Sequence, residues 1–245
     1  MNCKNCGNII TGDFCGNCGQ KSKSQRINFS YLVGEIPNSI FQLNRGFFYT
    51  VKELLFRPGH TIREFLLGKR VQHYKPIGFL LLTTTIYVVT YYFLEKETFF
   101  YDMIGGMMEG AEAKDNPIDS SYLDFLHKYQ IYLPLVILPL FSFSTYLAFS
   151  KSKYNYFEHL VINIYITGQQ MLIYLLLGFL FYVNNFLIMT PLLIGFTYNV
   201  WTFNQVFNEK KLLTKVGLIL LSYLIFIVLV TLIGVIIAIY YIKIK

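Results

Sequence analysis

Two patterns of apolar residues divide this chain at Ile77. After it, apolar residues come in unbroken runs of span length; before it, they recur every three or four positions between charges. Residues 77–94 carry no charge until Glu95, which is the lower end of what crosses a hydrocarbon layer of ~30 Å at ~1.5 Å per helical residue. Four more runs follow at 131–149, 160–183, 186–207 and 216–242. The predicted fold class is an all-α membrane protein with a bundle of about five transmembrane helices over residues 77–245. The second run carries Pro134 and Pro139, which remove backbone donors and kink a helix where neighbours cover the break. Asn184 and Asn185 make a tight turn between the third and fourth runs, so these two form an antiparallel hairpin. A re-entrant fourth run, rich in Asn and Thr, would instead give four crossings and return the C-terminus to the starting side.

Residues 47–76 form the organising junction. Phe47, Phe48, Val51, Leu54 and Leu55 recur at helical spacing, with Lys52 and Glu53 opposite. After Arg57-Pro58-Gly59 a second set, Ile62, Phe65 and Leu66, shares a face while Arg63, Glu64, Lys69 and Arg70 point elsewhere. Neither set is long enough to cross a bilayer. The pattern predicts two short amphipathic helices, the second ended by Gly68, lying on the membrane surface or packed on the bundle; periodicity leaves both open. Upstream, residues 21–46 read as a linker and interfacial segment: a basic, flexible stretch over 21–28, then one or two helical turns broken by Pro37.

Composition supports the membrane reading. The chain is 54% hydrophobic and 14% charged, whereas soluble domains hold about 25% charged residues. The net charge of +7 lies beside the apolar runs, which points to a lipid bilayer with an anionic surface rather than to nucleic acid. With the N-terminus inside, the cytoplasmic segments hold eleven, two and three of the 21 Lys and Arg residues. The outside holds Lys96, Lys114 and Lys128 among eight acids in residues 95–130, plus Lys243 and Lys245. That bias predicts a cytoplasmic N-terminus in a multi-pass protein.

All four cysteines lie in residues 1–20. Cys3, Cys6, Cys15 and Cys18 make two CxxC pairs eight residues apart, with Gly7 and Gly19 directly after each pair to permit a tight turn. Four thiolates close a tetrahedron around one divalent ion and leave no open position, so the predicted site is structural and its cofactor a single Zn2+. A head this small has no room for a core, and metal binding would supply its folding energy. Lys4 against Asp13 gives it no charge for nucleic acid.

The segments CKNCGNII and DFCGNCGQK resemble the short zinc ribbon that heads many bacterial membrane proteins. Residues 54–82, LLFRPGHTIREFLLGKRVQHYKPIGFLLL, resemble the signature of an uncharacterised bacterial family, domain of unknown function 3667, whose members commonly carry such a ribbon. Arg57, Pro58, Gly59, Ile62, Arg63, Gly68, Arg70, Tyr74, Pro76 and Phe79 carry that likeness. It implies a protein of the bacterial cytoplasmic (inner) membrane and supplies no catalytic residues.

Chemistry inside the bundle would have to use polar side chains. His159, Asn163, Thr167 and Gln170 follow helical spacing on the third run, and Thr197, Asn204 and Gln205 lie toward the inner half of the fourth. Antiparallel pairing would bring Asn163 and Asn204 to similar depth and create a polar patch. Hydrogen bonding between helices outweighs a binding site for this set, because no ionisable residue sits deep in any run. Glu158 and His159 are adjacent and so point ~100° apart. His60, His73 and His127 are too scattered in sequence to imply a site, and no hydrolase, P-loop or metalloprotease motif is present. The sequence therefore favours a non-enzymatic adaptor whose head engages a cytoplasmic protein partner. The alternative is a small-solute transporter or lipid-handling protein that uses the polar faces.

Overall fold

The computed structural model describes residues 1–22, 25–39, 46–94, 128–129, 132–181, 190–208 and 211–244. The expected outer loop, apart from Lys128 and Tyr129, and the Asn184-Asn185 turn lie outside the described residues, as do Lys243's side chain and Lys245. Eight helices are described: α1 Phe29–Ser39, α2 Gly46–Phe56, α3 Pro58–Leu67, α4 Pro76–Phe93, α5 Leu133–Ala148, α6 Tyr156–Phe181, α7 Thr190–Val206 and α8 Leu212–Ile244. The head, residues 1–22, has two isolated antiparallel bridges, Asn2 with Ile9 and Phe14 with Lys21.

Among the described residues, three helical stretches are long and apolar enough to cross a membrane: Pro76–Phe93, Tyr156–Gly178 and Leu212–Ile233. The prediction of five is not matched on that measure. α5 and α7 have 16 and 17 residues, which is ~24–26 Å of rise against a ~30 Å hydrocarbon layer. Of the three long stretches, the α6 stretch is the most buried, at 61%, and the α8 stretch the least, at 11%. α6 also starts earlier than its apolar run. Asn155 Oδ1 accepts from Glu158 N (2.9 Å) and Glu158 Oε2 accepts from Asn155 N (2.8 Å), a reciprocal cap that satisfies two free donors and fixes the first turn.

Direction alternates along the bundle. His159 of α6 meets Thr145 near the end of α5, Gln170 meets Gly195 of α7, and Asn199 of α7 meets Tyr223 of α8, so each neighbour in sequence runs antiparallel. The head, the α2–α3 junction, residues 149–155 and the end of α7 with the start of α8 all gather at one end. Arg26, just after the head, reaches residues 149–155 through Lys153 O (2.6 Å), and Gln205 links α7 to α3. Head and junction together, residues 149–155 and the end of α7 fall in the three segments whose basic residues predict a common side.

The junction helices are packed on the bundle. Phe47, Leu54, Ile62 and Phe65 share one buried cluster with Phe79, Ile162, Tyr165, Tyr198 and Phe203. Phe65 and Phe79 ring centroids lie 5.4 and 5.7 Å from that of Tyr165, a spacing that adds to simple burial. Tyr198 Oη donates to Leu54 O (2.9 Å) and Tyr165 Oη to Tyr74 O (2.6 Å), so these two buried phenols are satisfied by junction backbone. The apolar arc of α2 is wider than this contact. Phe48, Leu55 and Phe56 remain exposed on its outer side.

The linker also differs from the flexible stretch that its composition predicts. Ile27 is fully buried, its carbonyl accepts from Asn155 Nδ2 (3.1 Å), and Asn28 Oδ1 caps α1 by accepting from Tyr31 N (2.8 Å). α1 runs eleven residues, through Pro37, rather than one or two turns.

Candidate functional site

The head is built twice over from one local device. Cys3 N donates to Asn8 O and Gly7 N to Cys3 O (2.8 and 2.9 Å); Cys15 N donates to Gln20 O and Gly19 N to Cys15 O (both 2.8 Å). Gly7 and Gly19 close the two turns at φ 81° and 73°, a region that side-chain-bearing residues avoid. All four Sγ atoms lie within 4.8 Å of one another, with Cys3 to Cys18 and Cys6 to Cys15 both 3.5 Å, and none is in a disulfide. Metal–sulfur bonds of ~2.3 Å in a tetrahedron would place sulfurs ~3.8 Å apart, so the set fits one metal ion. The turn's own hydrogen bonds also act on the thiols. The backbone N–H of Asn8 leads in lowering Cys6 to about 6, while burial pushes Cys18 up to about 12. A divalent ion at the centre would deprotonate all four.

The residue that closes the second knuckle also docks the head. Gln20 is buried, and its Oε1 accepts from Arg70 N (3.1 Å). Arg70 Nη2 donates to Gln25 O (2.8 Å), and its guanidinium lies 4.4 Å over the Tyr31 ring. One step on, Arg26 grips Glu158 through both carboxylate oxygens (2.9 and 2.8 Å). Sequence reasoning missed this chain of contacts, although Asn155-x-x-Glu158 is a readable cap pattern.

Each junction residue has a structural task. Arg57 pairs with Glu53 one turn back (2.8 Å from Nε), Pro58 opens α3, and Gly59 lets α3 touch α7. Gln205 Oε1 then accepts from Gly59 N and His60 N (3.1 and 3.3 Å), covering two of α3's free donors from another helix. Gly68 ends α3 at φ 108°, as its place in the sequence predicts. Tyr74 N donates to Thr50 Oγ1 (2.7 Å), and Pro76 opens α4. Arg63 Nη2 lies 3.5 Å from His60 Nδ1.

His60 and His73, far apart in sequence, converge on Glu64. Their Nε2 atoms lie 3.6 and 3.9 Å from its carboxylate, which also accepts from Lys69 Nζ (2.7 Å). Burial raises the Glu64 carboxyl, but Lys69, His60 and His73 outweigh it and hold the group below its ordinary value. Burial pulls the His73 imidazole below its ordinary value of 6.5 against the attraction of Glu64 and Glu53. Both shifts have the same sign for stability. The unfolded chain takes up protons that the folded junction refuses, so stability falls as pH drops below about 6.5 at His73 and further near Glu64's ordinary 4.5. The thermal midpoint of the chain in detergent is expected to drop between neutral pH and about 5, and His73→Asn to flatten that part of the curve. An unchanged slope in the variant would assign the loss elsewhere.

The predicted polar stripe does not form one patch. It runs along the groove between α5 and α7, and its first residues turn to one wall while Gln170 turns to the other. His159 Nδ1 lies 3.2 Å from Thr145 Oγ1, and Asn163 Nδ2 donates to Thr145 Oγ1 (3.0 Å) and Ser142 Oγ (3.2 Å), all toward α5. Gln170 Nε2 donates to Gly195 O of α7 (2.9 Å). Asn204 does not meet Asn163, because it accepts from Lys215 Nζ at both O and Oδ1 (3.0 and 2.6 Å). Thr197 is exposed and returns its hydroxyl to Leu193 O, while Thr167 is half-buried on α6. Glu158 and His159 serve different partners, as their angular separation requires.

No curated protein and no solved structure matches the chain. Residues 44–88, which span α2, α3 and most of α4 and so contain the whole junction just described, match the model of a family described as Protein of unknown function (DUF3667).

Proposed function

We propose that this chain is a multi-pass protein of the bacterial cytoplasmic membrane whose head, on the cytoplasmic side and tied by one structural zinc ion, is a non-enzymatic adaptor for a cytoplasmic protein. One observation carries this reading: the head is clamped to the bundle rather than tethered. Gln20 to Arg70, Arg70 to Gln25 and Arg26 to Glu158 hold it at a fixed place, while Ile9 and Phe14 stay exposed on its surface. A fixed apolar surface loses less freedom on binding than a mobile one.

Five crossings with the N-terminus inside agree with the alternating helix directions and with the basic segments gathered at one end. The exposed Phe48, Leu55 and Phe56 suit the upper edge of the lipid layer. The transport alternative has less support, because Asn163 and Gln170 spend their amide N–H groups on neighbouring helices, as interhelical hydrogen bonding requires.

Affinity purification of the full chain from solubilised membranes tests the proposal. Ile9→Ser with Phe14→Ser, and separately Cys3→Ser, are each expected to lower recovery of the specific partner at least tenfold while the variant stays in the membrane fraction. Identical partners in parent and variants would overturn the adaptor reading.

A further inference from the structure

α2 carries two apolar arcs, and the bundle covers one of them. Phe47, Thr50 and Leu54 are buried, while Phe48, Leu55 and Phe56 on the far side are 76, 43 and 66% exposed. At ~100° per residue, Phe48, Lys52, Leu55 and Phe56 fall within ~100° of one another around the helix. Lys52 is exposed in the middle of that arc and makes no ion pair among the described residues. On the membrane placement proposed above, we propose that this outer arc binds anionic phospholipid: its three apolar side chains enter the cytoplasmic leaflet, and Lys52 takes the phosphate of a headgroup.

The depth of α2 follows from what its buried arc touches. The α4 span begins at Pro76, and Phe79, three residues further in, meets Phe47 with ring centroids 5.8 Å apart. Tyr198 lies eight residues before the end of α7 at Val206 and donates to Leu54 O (2.9 Å). Those offsets are ~4.5 and ~12 Å of helical rise, so α2 stands beside the outer turns of the bundle and not beyond them. A helix lying in a membrane surface buries its apolar face ~5–10 Å into the boundary between headgroups and acyl chains, which is the same range.

Charge then selects the lipid. Phe48, Tyr49, Leu55 and Phe56, one turn from Lys52 on either side, carry no acid, and Glu53, outside the arc, is held by Arg57. A lysine whose stem runs along apolar neighbours keeps its ammonium at headgroup level. Phosphatidylcholine brings a cation of its own to that level, so the net attraction goes to a headgroup such as phosphatidylglycerol.

The test uses the purified full chain in mixed phosphatidylcholine and phosphatidylglycerol vesicles, with bromines on the acyl chains of one lipid at a time to quench tryptophan. Trp201 is replaced by Phe, and single reporters are introduced by Phe56→Trp on α2, Leu224→Trp on the exposed side of α8 and Phe14→Trp on the head. Bromines near the headgroup end of the chains are expected to quench Phe56→Trp more than bromines near the chain ends, while Leu224→Trp is quenched and Phe14→Trp is not. At ~1 kcal/mol per cation near the surface, brominated phosphatidylglycerol should quench Phe56→Trp about fivefold more effectively than brominated phosphatidylcholine. Lys52→Gln should bring that ratio to about one, and Lys4→Gln on the head should leave it unchanged. Quenching at Leu224→Trp with none at Phe56→Trp would mean that water or a protein surface covers the arc, and overturns the proposal. So does a ratio that Lys52→Gln leaves unchanged. Absence of quenching at both positions would overturn the membrane placement itself, and the proposal with it.

Discussion

Stripping the metal from the purified chain is expected to unfold residues 1–22 and leave the helices standing. The head's buried cluster is Cys3, Ile10 and Cys15 with Cys6 and Cys18 against it, so its interior is largely the ligands themselves. No apolar core of that size can offset the cost of ordering a chain segment at ~1–2 kcal/mol per residue. Structural zinc binding supplies ~10–16 kcal/mol at neutral pH, all of which is folding energy in such a module. The consequence should reach beyond the head. Gln20 closes the second knuckle through its carbonyl and docks on Arg70 through its side chain, so losing the first position loses the second. Hydrogen exchange is expected to show full loss of protection in residues 1–22, partial loss at the Arg70 amide and none in α6. Elemental analysis should find one zinc per chain in the parent and none in Cys3→Ser. A head that stays protected in chelator would remove the metal from its folding, and loss of protection throughout α4–α8 would show that the module is not separable.

What the sequence made legible was whatever depends on near neighbours in the chain. The knuckles rest on glycines one position after each CxxC, the break at Arg57-Pro58 on the geometry of proline, and the end of α3 on Gly68; all three can be read within a few residues. Helix faces were legible too, since Ile62, Phe65 and Leu66 are buried together as their spacing requires. Partners were not. A stripe at i, i+4, i+8 gives a direction around α6 but not which helix stands there, and α6 is central, with α4, α5 and α7 all around it. Asn163 therefore bonds Ser142 and Thr145 instead of meeting Asn204. The clamp of the head was hidden for the same reason: Arg26 and Glu158 are 132 positions apart, and nothing local in a basic, polar linker distinguishes a tether from a strap. Five apolar runs likewise read as five spans, although α5 and α7 form shorter regular helices among the described residues.

Gly59→Ala is expected to destabilise the chain by about 2–4 kcal/mol, an outsized effect for one methyl group. A Cβ at this position would stand 2.5 Å from Thr202 O and 2.7 Å from Val206 N, besides meeting the Cβ of Gln205. The first two are backbone atoms of α7, so no rotamer change can relieve the clash and α3 must back away. Backing away also breaks the bonds from Gly59 N and His60 N to Gln205 Oε1, leaving α3's first donors without their cap. Gln205→Ala removes the cap without the clash and should cost only about 1 kcal/mol. The two losses should therefore be less than additive when combined, because the displaced helix has already surrendered the cap. Gly59→Leu should exceed Gly59→Ala, since the larger side chain forces a wider separation. Thermal unfolding in detergent, followed by circular dichroism, measures all four variants. If Gly59→Ala unfolds with the parent, α3 does not press on α7 as described, and the seam joining the head-bearing junction to the bundle is looser than its contacts imply.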